Sequence, residues 1–131
     1  KGIELDARHV PDLVPIVAAA ASRAEGDTVI RGVKRLRYKE SDRLSALADS
    51  IGRMGGNIRA EEDAIVVSGR GITKGAEIDT QNDHRIAMAC AVLALASEGE
   101  TIINDAECVS KSYPSFFDDL RSMGADVEVF L

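Results

Sequence analysis

The first stretch that could do chemistry is a cluster of positive charge in an otherwise acidic chain. Segment 34–43, KRLRYKESDR, contains five cations in ten residues: Lys34, Arg35, Arg37, Lys39 and Arg43. The chain as a whole has a net charge of −6, so this local excess indicates an anion site. Ser41 can cap a following helix, which would place Lys39 and Glu40 just before a helix N-terminus, where backbone donors and the dipole favour phosphate or carboxylate. The segment could equally be a solvated basic loop whose acidic residues pair with neighbouring arginines.

A second polar group, QNDHR (81–85), precedes an almost entirely apolar segment. Ionisable side chains beside a buried helix need partners, because burial of an unpaired charge is costly. We therefore expect His84 and Arg85 to face a cleft or opposing charges. A structural interpretation is also open, in which Asp83 caps the helix and the His-Arg pair is incidental.

Two further candidates draw their interest from an internal repeat. Lys111, in SKSYP (110–114), corresponds to the region of Lys39, and Asp12 lies at the joint that corresponds to QNDHR. Alone, each is an ordinary feature, a surface lysine and an aspartate that can cap a turn. The repeat places both at strand-to-helix crossings, where equivalent ends can converge on one ligand.

The elements that must position these residues form this repeat. A shift of 73 residues places GDTVIRGV (26–33) on GETIINDA (99–106), and LVPIVAAAAS (13–22) on IAMACAVLAL (86–95). Each copy is predicted to run strand, helix, strand, helix, strand, which gives an α/β domain with helices packed on sheets. We assign one repeat unit to about residues 1–70 and a truncated second unit to about 71–131.

The apolar pattern predicts two kinds of helix in each copy. The first, 13–22 and 86–95, is apolar on nearly every side and is expected to be buried all round. The second is amphipathic and ends at glycine, with apolar positions Leu44, Leu47, Ala48, Ile51 and Met54 in one copy and Phe117, Leu120 and Met123 in the other. Strands are predicted at Ile3 and Leu5, 28–30, Ile58, 64–69, Ile78, 102–103, and Val127 and Val129.

Composition excludes several classes of function. The acidic balance argues against a nucleic-acid or membrane surface, and no apolar run is long enough to span a bilayer. Cys90 and Cys108 lack the spacing of a zinc site or disulfide framework, which fits a reducing cytoplasm. From the lack of a membrane-spanning run and the cysteine pattern we expect a soluble, cytoplasmic protein. The chain opens on KGIELD without Met and stops within ADVEVF, so we expect a piece of a longer protein.

Four stretches together carry a specific resemblance. KESDRL (39–44), NDHRIAMA (82–89) and CVSKSYPSFFDDL (108–120), with VPDL (10–13) as a fourth, resemble in sequence and order the signatures of the 5-enolpyruvylshikimate-3-phosphate synthase family. The resemblance implies an enolpyruvyl transferase fold of the inverse α/β barrel type (EPT/RTPC-like), with this chain as part of the C-terminal domain and the active site between two domains.

The resemblance also implies a reaction. The enolpyruvyl group of phosphoenolpyruvate would pass to the 5-hydroxyl of shikimate 3-phosphate with release of phosphate, in the shikimate pathway. No metal or organic cofactor is expected, the N-terminal domain is the missing partner, and the piece alone is expected to be inactive. The UDP-N-acetylglucosamine enolpyruvyl transferases are the nearest rival, although KESDR and NDHR favour the shikimate enzyme. A non-catalytic anion-binding domain is the alternative from another class.

Position by position, the resemblance implies three catalytic residues: Asp12, Lys39 and Glu40. Asp12 would contact the shikimate hydroxyls and act as a base, Lys39 would lie between both substrates, and Glu40 would transfer protons at the methylene carbon. Cations and a histidine would complete the substrate contacts: Arg35, Arg43, His84, Arg85 and Lys111. Of these, Arg43, Arg85 and Lys111 match residues that hold phosphoenolpyruvate. Arg35 stands where the family often has Asn touching the shikimate part.

Overall fold

The computed structural model describes residues 1–130 of the 131. The described strands are β1 (Glu4–Asp6), β2 (Glu25–Arg31), β3 (Ile58–Ala60), β4 (Ala64–Arg70), β5 (Glu77–Asp79) and β6 (Ile102–Asn104). The α-helices are α1 (Val14–Arg23), α2 (Arg43–Arg53), α3 (His84–Leu95) and α4 (Phe116–Ser122), and short 3-10 helices cover Pro11–Leu13, Lys34–Tyr38 and Ala106–Lys111. The predicted alternation of strands and helices is therefore present.

The strands form two sheets whose registers show the repeat. One sheet has four strands in the order β1-β2-β4-β3, with β1 parallel to β2 and the other pairs antiparallel. The other consists of the parallel pair β5 and β6. Leu5 pairs with Ile30 in the first sheet and Ile78 with Ile103 in the second. Both partners are shifted by the same 73 residues found in the sequence.

Two glycines mark the closest backbone approaches of the repeat. A Cβ at Gly2 would lie 2.0 Å from the carbonyl oxygen of Asp27, and one at Gly75 would lie 1.9 Å from that of Glu100. No side chain fits at these distances, so the backbone itself must move to admit one. The same steric conflict occurs in both copies because the two glycines, and the two residues whose carbonyls they approach, are equivalent in the 73-residue repeat.

We expect Gly75→Ala to destabilise the protein by about 1–3 kcal/mol, as overpacking of a filled site does. Gly52→Ala is the matched control, since Gly52 lies within α2 and a Cβ added there would meet no atom within 4 Å. There alanine is the better helix former, by about 0.5–1 kcal/mol. The thermal unfolding midpoint should lie below that of the parent for Gly75→Ala and above it for Gly52→Ala. A Gly75→Ala midpoint at or above the parent's would contradict the close backbone approach.

Helices α1 and α3 pack side by side and form the centre of the apolar core with α2. The prediction that they are buried all round is wrong. Ile16 of α1 is 37% exposed and Leu95 of α3 is 55% exposed. Because these side chains reach solvent, each helix buries one broad face rather than its whole circumference.

Other boundaries differ from the predictions for local reasons. Asp42, and not Ser41, caps α2 by accepting from the Ser45 amide, because the Ser41 hydroxyl is bound elsewhere. Val127 and Val129 lie in no strand, and Val129 is exposed. In the first copy the corresponding strand β3 pairs with β4, and residues 71–130 contain no counterpart of β4. Met123 is also exposed, so the stripe of α4 ends at Leu120.

The four α-helices are short relative to a bilayer. Within residues 1–130, none combines the length and apolar character needed to cross a membrane.

Candidate active site

Three chain segments meet where the first turns of three helices come together. Asp12 lies on the 3-10 helix that leads into α1, Glu40 immediately precedes α2, and Asp83, His84 and Arg85 begin α3. Because α1, α2 and α3 pack on one another, their N-terminal ends converge. The structure therefore brings together side chains that lie up to 73 residues apart in the chain.

The centre of the site is a buried ion pair between Arg43 and Asp83. The Arg43 Nε lies 2.9 Å from Asp83 Oδ2, and Nη2 lies 3.1 Å from Oδ1, which makes the pair bidentate. The Arg43 side chain is 1% exposed and that of Asp83 is 0% exposed. The guanidinium geometry matches a carboxylate, so both charges are satisfied although neither reaches water.

Asp83 accepts two further hydrogen bonds and remains ionised. The Ser41 hydroxyl donates to Oδ2 at 2.8 Å, and the Arg85 amide donates to Oδ1 at 3.0 Å, so Asp83 also caps α3. Burial by itself would raise the pKa of this carboxyl, but the hydrogen bonds from Arg43 and Ser41 outweigh burial and the pKa is lowered. The cap interpretation of Asp83 is correct, and the residue is in addition the counter-charge of Arg43.

Arg43 links this pair to the two half-exposed carboxylates. Its Nη1 lies 3.2 Å from Asp12 Oδ1, and its Nη2 donates to Glu40 Oε2. The side chains of Asp12 and Glu40 are 55% and 41% exposed. One guanidinium thus orients three carboxylates from three segments, and it leaves Asp12 and Glu40 accessible to a ligand.

His84 lies beside Glu40 with both ring nitrogens facing polar atoms. Its Nδ1 is 2.5 Å from the Ser112 hydroxyl, and its Nε2 is 3.8 Å from Glu40 Oε1. His84 is 8% exposed and therefore buried. Of the two carboxylate oxygens of Glu40, Oε2 is bound by Arg43 and Oε1 faces His84 without a hydrogen bond from it.

Three more cations surround these groups. Arg85 Nη2 lies 3.7 Å from Asp12 Oδ2, and Lys111 Nζ donates to the carbonyl of Asn82 at 2.5 Å. Lys39 is exposed, and within residues 1–130 its ammonium has no hydrogen bond or ion pair. Arg43, Arg85 and Lys111 therefore match the three carboxylates in number, and Lys39 adds an exposed positive charge next to Glu40 in the sequence.

The segment before α3 has an unusual backbone. Gln81 and Asn82 both adopt the left-handed region, with φ of 51° and 57°, which residues other than glycine rarely do. Hydrogen bonds from the Gln81 amide to Asp79 Oδ1 and from the Asn82 amide to Thr80 Oγ1 support the turn. The turn directs the Asn82 carbonyl to Lys111, so strained backbone contributes to placing a cation at the site.

The five-cation segment divides into two groups. Lys34 lies 3.8 Å from Glu62, Arg35 donates to the Arg8 carbonyl at 2.9 Å, and Arg37 donates to the Glu61 carbonyl at 3.1 Å. These three cations lie on a 3-10 helix and fit the basic-surface interpretation. Of the five cations, only Arg43 contacts the site within residues 1–130. Among the candidate site residues, the side chains of Arg35 and Lys39 make no contact with the network around Arg43 within residues 1–130, and Lys111 meets it only through the Asn82 backbone.

Sequence reasoning missed two serines that the structure places in this network. Ser41 is predicted to cap a helix and instead binds Asp83, and Ser112 is not predicted to have a role although it holds His84. Both flank candidate site residues, Glu40 and Lys111. A hydroxyl beside a site cation is too common in surface loops to be a usable signal.

Three of these side chains also resemble a metal-binding donor set. Glu40, Asp83 and His84 offer ligand atoms within 4.8 Å of one another. The Arg43 guanidinium, however, already binds both oxygens of Asp83 and one of Glu40. A cation between these carboxylates would have to displace a buried positive charge, so the arrangement suits acid-base and anion chemistry rather than metal coordination.

Comparisons with known proteins agree on one family. Residues 1–120 match the family model for EPSP synthase (3-phosphoshikimate 1-carboxyvinyltransferase). The chain is 48% identical over 126 residues to the 3-phosphoshikimate 1-carboxyvinyltransferase of Clostridium acetobutylicum, a match that covers 96% of this chain and 29% of that protein. It is 50% identical over 123 residues to that of Thermococcus kodakarensis, with 94% and 30% covered.

Solved structures confirm the predicted fold. The EPSP synthase of Acinetobacter baumannii superposes with a TM-score of 0.88 at 35% identity, covering 100% of this chain and 32% of that one. The enolpyruvyl transferase NikO of Streptomyces tendae superposes with a TM-score of 0.79 at 24% identity, covering 98% and 29%, and shares the fold. The chain therefore spans about three tenths of the length of the relatives it matches.

Proposed function

The chain belongs to the EPSP synthase family, and we propose that the protein containing it transfers the enolpyruvyl group of phosphoenolpyruvate to the 5-hydroxyl of shikimate 3-phosphate, releasing phosphate. The observation that supports this most strongly is the convergence of Asp12 and Glu40 on Arg43. Two accessible carboxylates beside the cations Arg43 and Arg85 match a reaction that moves protons on anionic substrates.

The cations suit phosphoenolpyruvate, which carries a carboxylate and a phosphate. The guanidinium of Arg85 is one third exposed and can bind either group with two parallel hydrogen bonds. Lys39 and Lys111 can neutralise charge as point cations. Arg43, whose side chain is 1% exposed, would act on the same anion through its charge while it holds the acids in place. Preorganised positive charge of this kind also stabilises phosphate as it leaves.

The two carboxylates divide the proton transfers. Addition of the 5-hydroxyl to C2 of phosphoenolpyruvate removes a proton from oxygen and delivers one to C3. Collapse of the tetrahedral intermediate then removes a proton from C3 and expels phosphate. We assign transfer at C3 to Glu40, whose Oε1 is free of Arg43, and removal of the hydroxyl proton to Asp12. Each such role accelerates a reaction by about a hundredfold to ten-thousandfold.

We assign the remaining substrate contacts to parts of the full-length protein that lie outside residues 1–131. We place this segment in the C-terminal domain of a two-domain enzyme, with two repeat units at about 1–70 and 71–131. The cations described above are assigned to phosphoenolpyruvate, so the N-terminal domain would supply the contacts with the 3-phosphate group of shikimate 3-phosphate. The segment alone would then be inactive.

A cytoplasmic reaction of the shikimate pathway fits the state of the thiols. Cys90 and Cys108 are buried and unpaired, and such cysteines are usual in reducing compartments. Burial raises the pKa of the Cys90 thiol to about 12, so this residue is protonated and unreactive.

Phosphate release from phosphoenolpyruvate by the full-length protein tests the proposal. Shikimate 3-phosphate and UDP-N-acetylglucosamine serve as alternative acceptors, and Lys39→Ala is compared with Lys34→Ala. Lys34 is an exposed lysine of the same segment that pairs with Glu62 outside the site. We expect release with shikimate 3-phosphate that falls at least tenfold in Lys39→Ala and stays unchanged in Lys34→Ala.

Other outcomes of this assay would reject the proposal. Release only with the nucleotide sugar would favour the rival transferase. No release with either acceptor would leave an anion-binding domain. Equal activity of Lys39→Ala and Lys34→Ala would show that Lys39 does not belong to the site.

A further inference from the structure

Ser112 makes a contact that none of the roles above explains. It follows Lys111 at the end of a 3-10 helix, and its hydroxyl lies 2.5 Å from Nδ1 of His84, 28 residues away in the chain. His84 is buried at the first turn of α3. The hydrogen bond therefore joins the segment that carries Lys111 to the segment that carries Arg85.

The two neighbours of His84, Ser112 and Glu40, together favour a proton on one particular ring nitrogen. In a neutral imidazole one nitrogen donates and the other accepts, and the hydrogen bond at one nitrogen fixes the role of the other. An ionised carboxylate can only accept. Because Nε2 faces Glu40, its favourable state is protonated, which leaves Nδ1 as the acceptor. The Ser112 hydroxyl can then donate to Nδ1.

The same geometry singles out one oxygen of Glu40. Oε2 is bound by the buried Arg43, so Oε1 is the oxygen available to exchange a proton with a ligand. His84 Nε2 lies 3.8 Å from Oε1, too far for a hydrogen bond and near enough to orient an N–H dipole toward it. The imidazole is thus placed where an N–H at Nε2 points toward the reacting oxygen.

We propose that Ser112 is a positioning residue, which donates to Nδ1 of His84, selects the tautomer protonated at Nε2 and directs that N–H toward Oε1 of Glu40. The effect of Ser112 on turnover rests on the proposed function, whereas its effect on the His84 tautomer does not. Ser112 acts only through His84 and Glu40. Its loss would allow the ring to rotate or to shift its proton to Nδ1, which would turn a lone pair toward the carboxylate.

Three variants of the full-length protein test the kinetic consequence. Ser112→Ala removes the hydroxyl, Ser112→Thr retains it, and Ser110→Ala is the matched control. Ser110 is exposed on the same 3-10 helix, and in the described part of the chain its side chain makes no hydrogen bond. Loss of one hydrogen bond corresponds to about a tenfold change in rate. We expect kcat to fall about tenfold in Ser112→Ala, with KM for both substrates nearly unchanged, and to recover in Ser112→Thr.

The tautomer is measured separately by nitrogen NMR of histidine-labelled protein at about pH 8.5, well above the ordinary histidine pKa of about 6.5. The His84 resonances are assigned by their loss in His84→Gln. We expect the proton at Nε2 in the parent and in Ser112→Thr, and a mixture of tautomers in Ser112→Ala.

Each outcome decides one part of the inference. A proton at Nδ1 in the parent, or an unaltered tautomer in Ser112→Ala, would overturn the positioning role whatever the kinetics. If the parent releases no phosphate with shikimate 3-phosphate, the proposed function fails, while the NMR result still decides the role of Ser112. A loss confined to KM would show that Ser112 serves binding and would also overturn the inference.

Discussion

Glu40→Gln in the full-length protein is expected to lower kcat by about a hundredfold to ten-thousandfold, the range for loss of a general acid-base group. The amide has the size of the carboxylate, and its oxygen can still accept from Arg43, so the side chain should keep its place. It cannot exchange a proton with C3 of phosphoenolpyruvate. Because the cations are untouched, KM for phosphoenolpyruvate should change by no more than a few-fold.

Steady-state kinetics with both substrates, together with the phosphoenolpyruvate dissociation constant, separates chemistry from binding. Glu62→Gln is the matched control, since Glu62 is an exposed glutamate that pairs with Lys34 outside the site. It should behave as the parent does. If Glu40→Gln keeps the parental kcat, another group must transfer the proton at C3. If the variant is impaired only in KM, Glu40 is a binding residue.

Asp83→Asn is expected to destabilise the protein by about 3 kcal/mol, at the lower end of the cost of leaving a buried charge unpaired. Asparagine keeps the size of the side chain and can still cap α3, so the substitution isolates the charge. Arg43 would remain buried, with Glu40 and Asp12 as its only counter-charges among the described residues. The unfolding midpoint should fall by about 6–12 °C.

Asp49→Asn provides the comparison, because Asp49 and Arg53 form an exposed pair one turn apart on α2. Such pairs contribute about 0–1 kcal/mol, so this variant should unfold close to the parent. Similar unfolding midpoints for Asp83→Asn and Asp49→Asn would contradict the view that the Arg43–Asp83 pair contributes more to stability because it is buried.

The Arg43–Asp83 pair also predicts how the stability of the protein depends on pH. The pKa of Asp83 in the folded protein lies below its ordinary value of 3.8. Its stabilising effect is therefore complete above pH 3.8 and is lost as pH falls through the lower folded value. The difference in stability between the parent and Asp83→Asn should shrink in that acid range, and a difference that stays constant down to about pH 2 would show that the carboxylate charge is not its cause.

Much of the architecture could be predicted because the sequence repeats. The 73-residue shift predicts equivalent strand pairs, and the observed registers Leu5–Ile30 and Ile78–Ile103 have that offset. Local patterns decide where a helix of this kind begins and ends to within a few residues. They do not report which side of an apolar helix remains uncovered, because that depends on packing partners, as Ile16 and Leu95 show.

The candidate site was recognisable from its charged residues and not from the groups that hold them. Six of the eight candidates are joined by contacts, directly or through the Asn82 carbonyl. Lys39 is exposed and has no partner within residues 1–130, and the guanidinium of Arg35 binds the Arg8 carbonyl instead. The central position of Asp83 could not be predicted from spacing, since a capping aspartate and a buried counter-charge have the same local sequence. The distinction arises only when α2 and α3 pack and Arg43 is enclosed between them.

The contact between Asp12 and Arg85 has a bearing on how the two copies diverged. These residues are equivalent in the 73-residue repeat, and in the folded chain they lie 3.7 Å apart with opposite charges. Two identical ionised residues at this joint would repel each other, whether both were aspartate or both arginine. The two copies therefore differ in charge at this joint, where their equivalent positions meet, and this asymmetry makes the two segments electrostatically complementary.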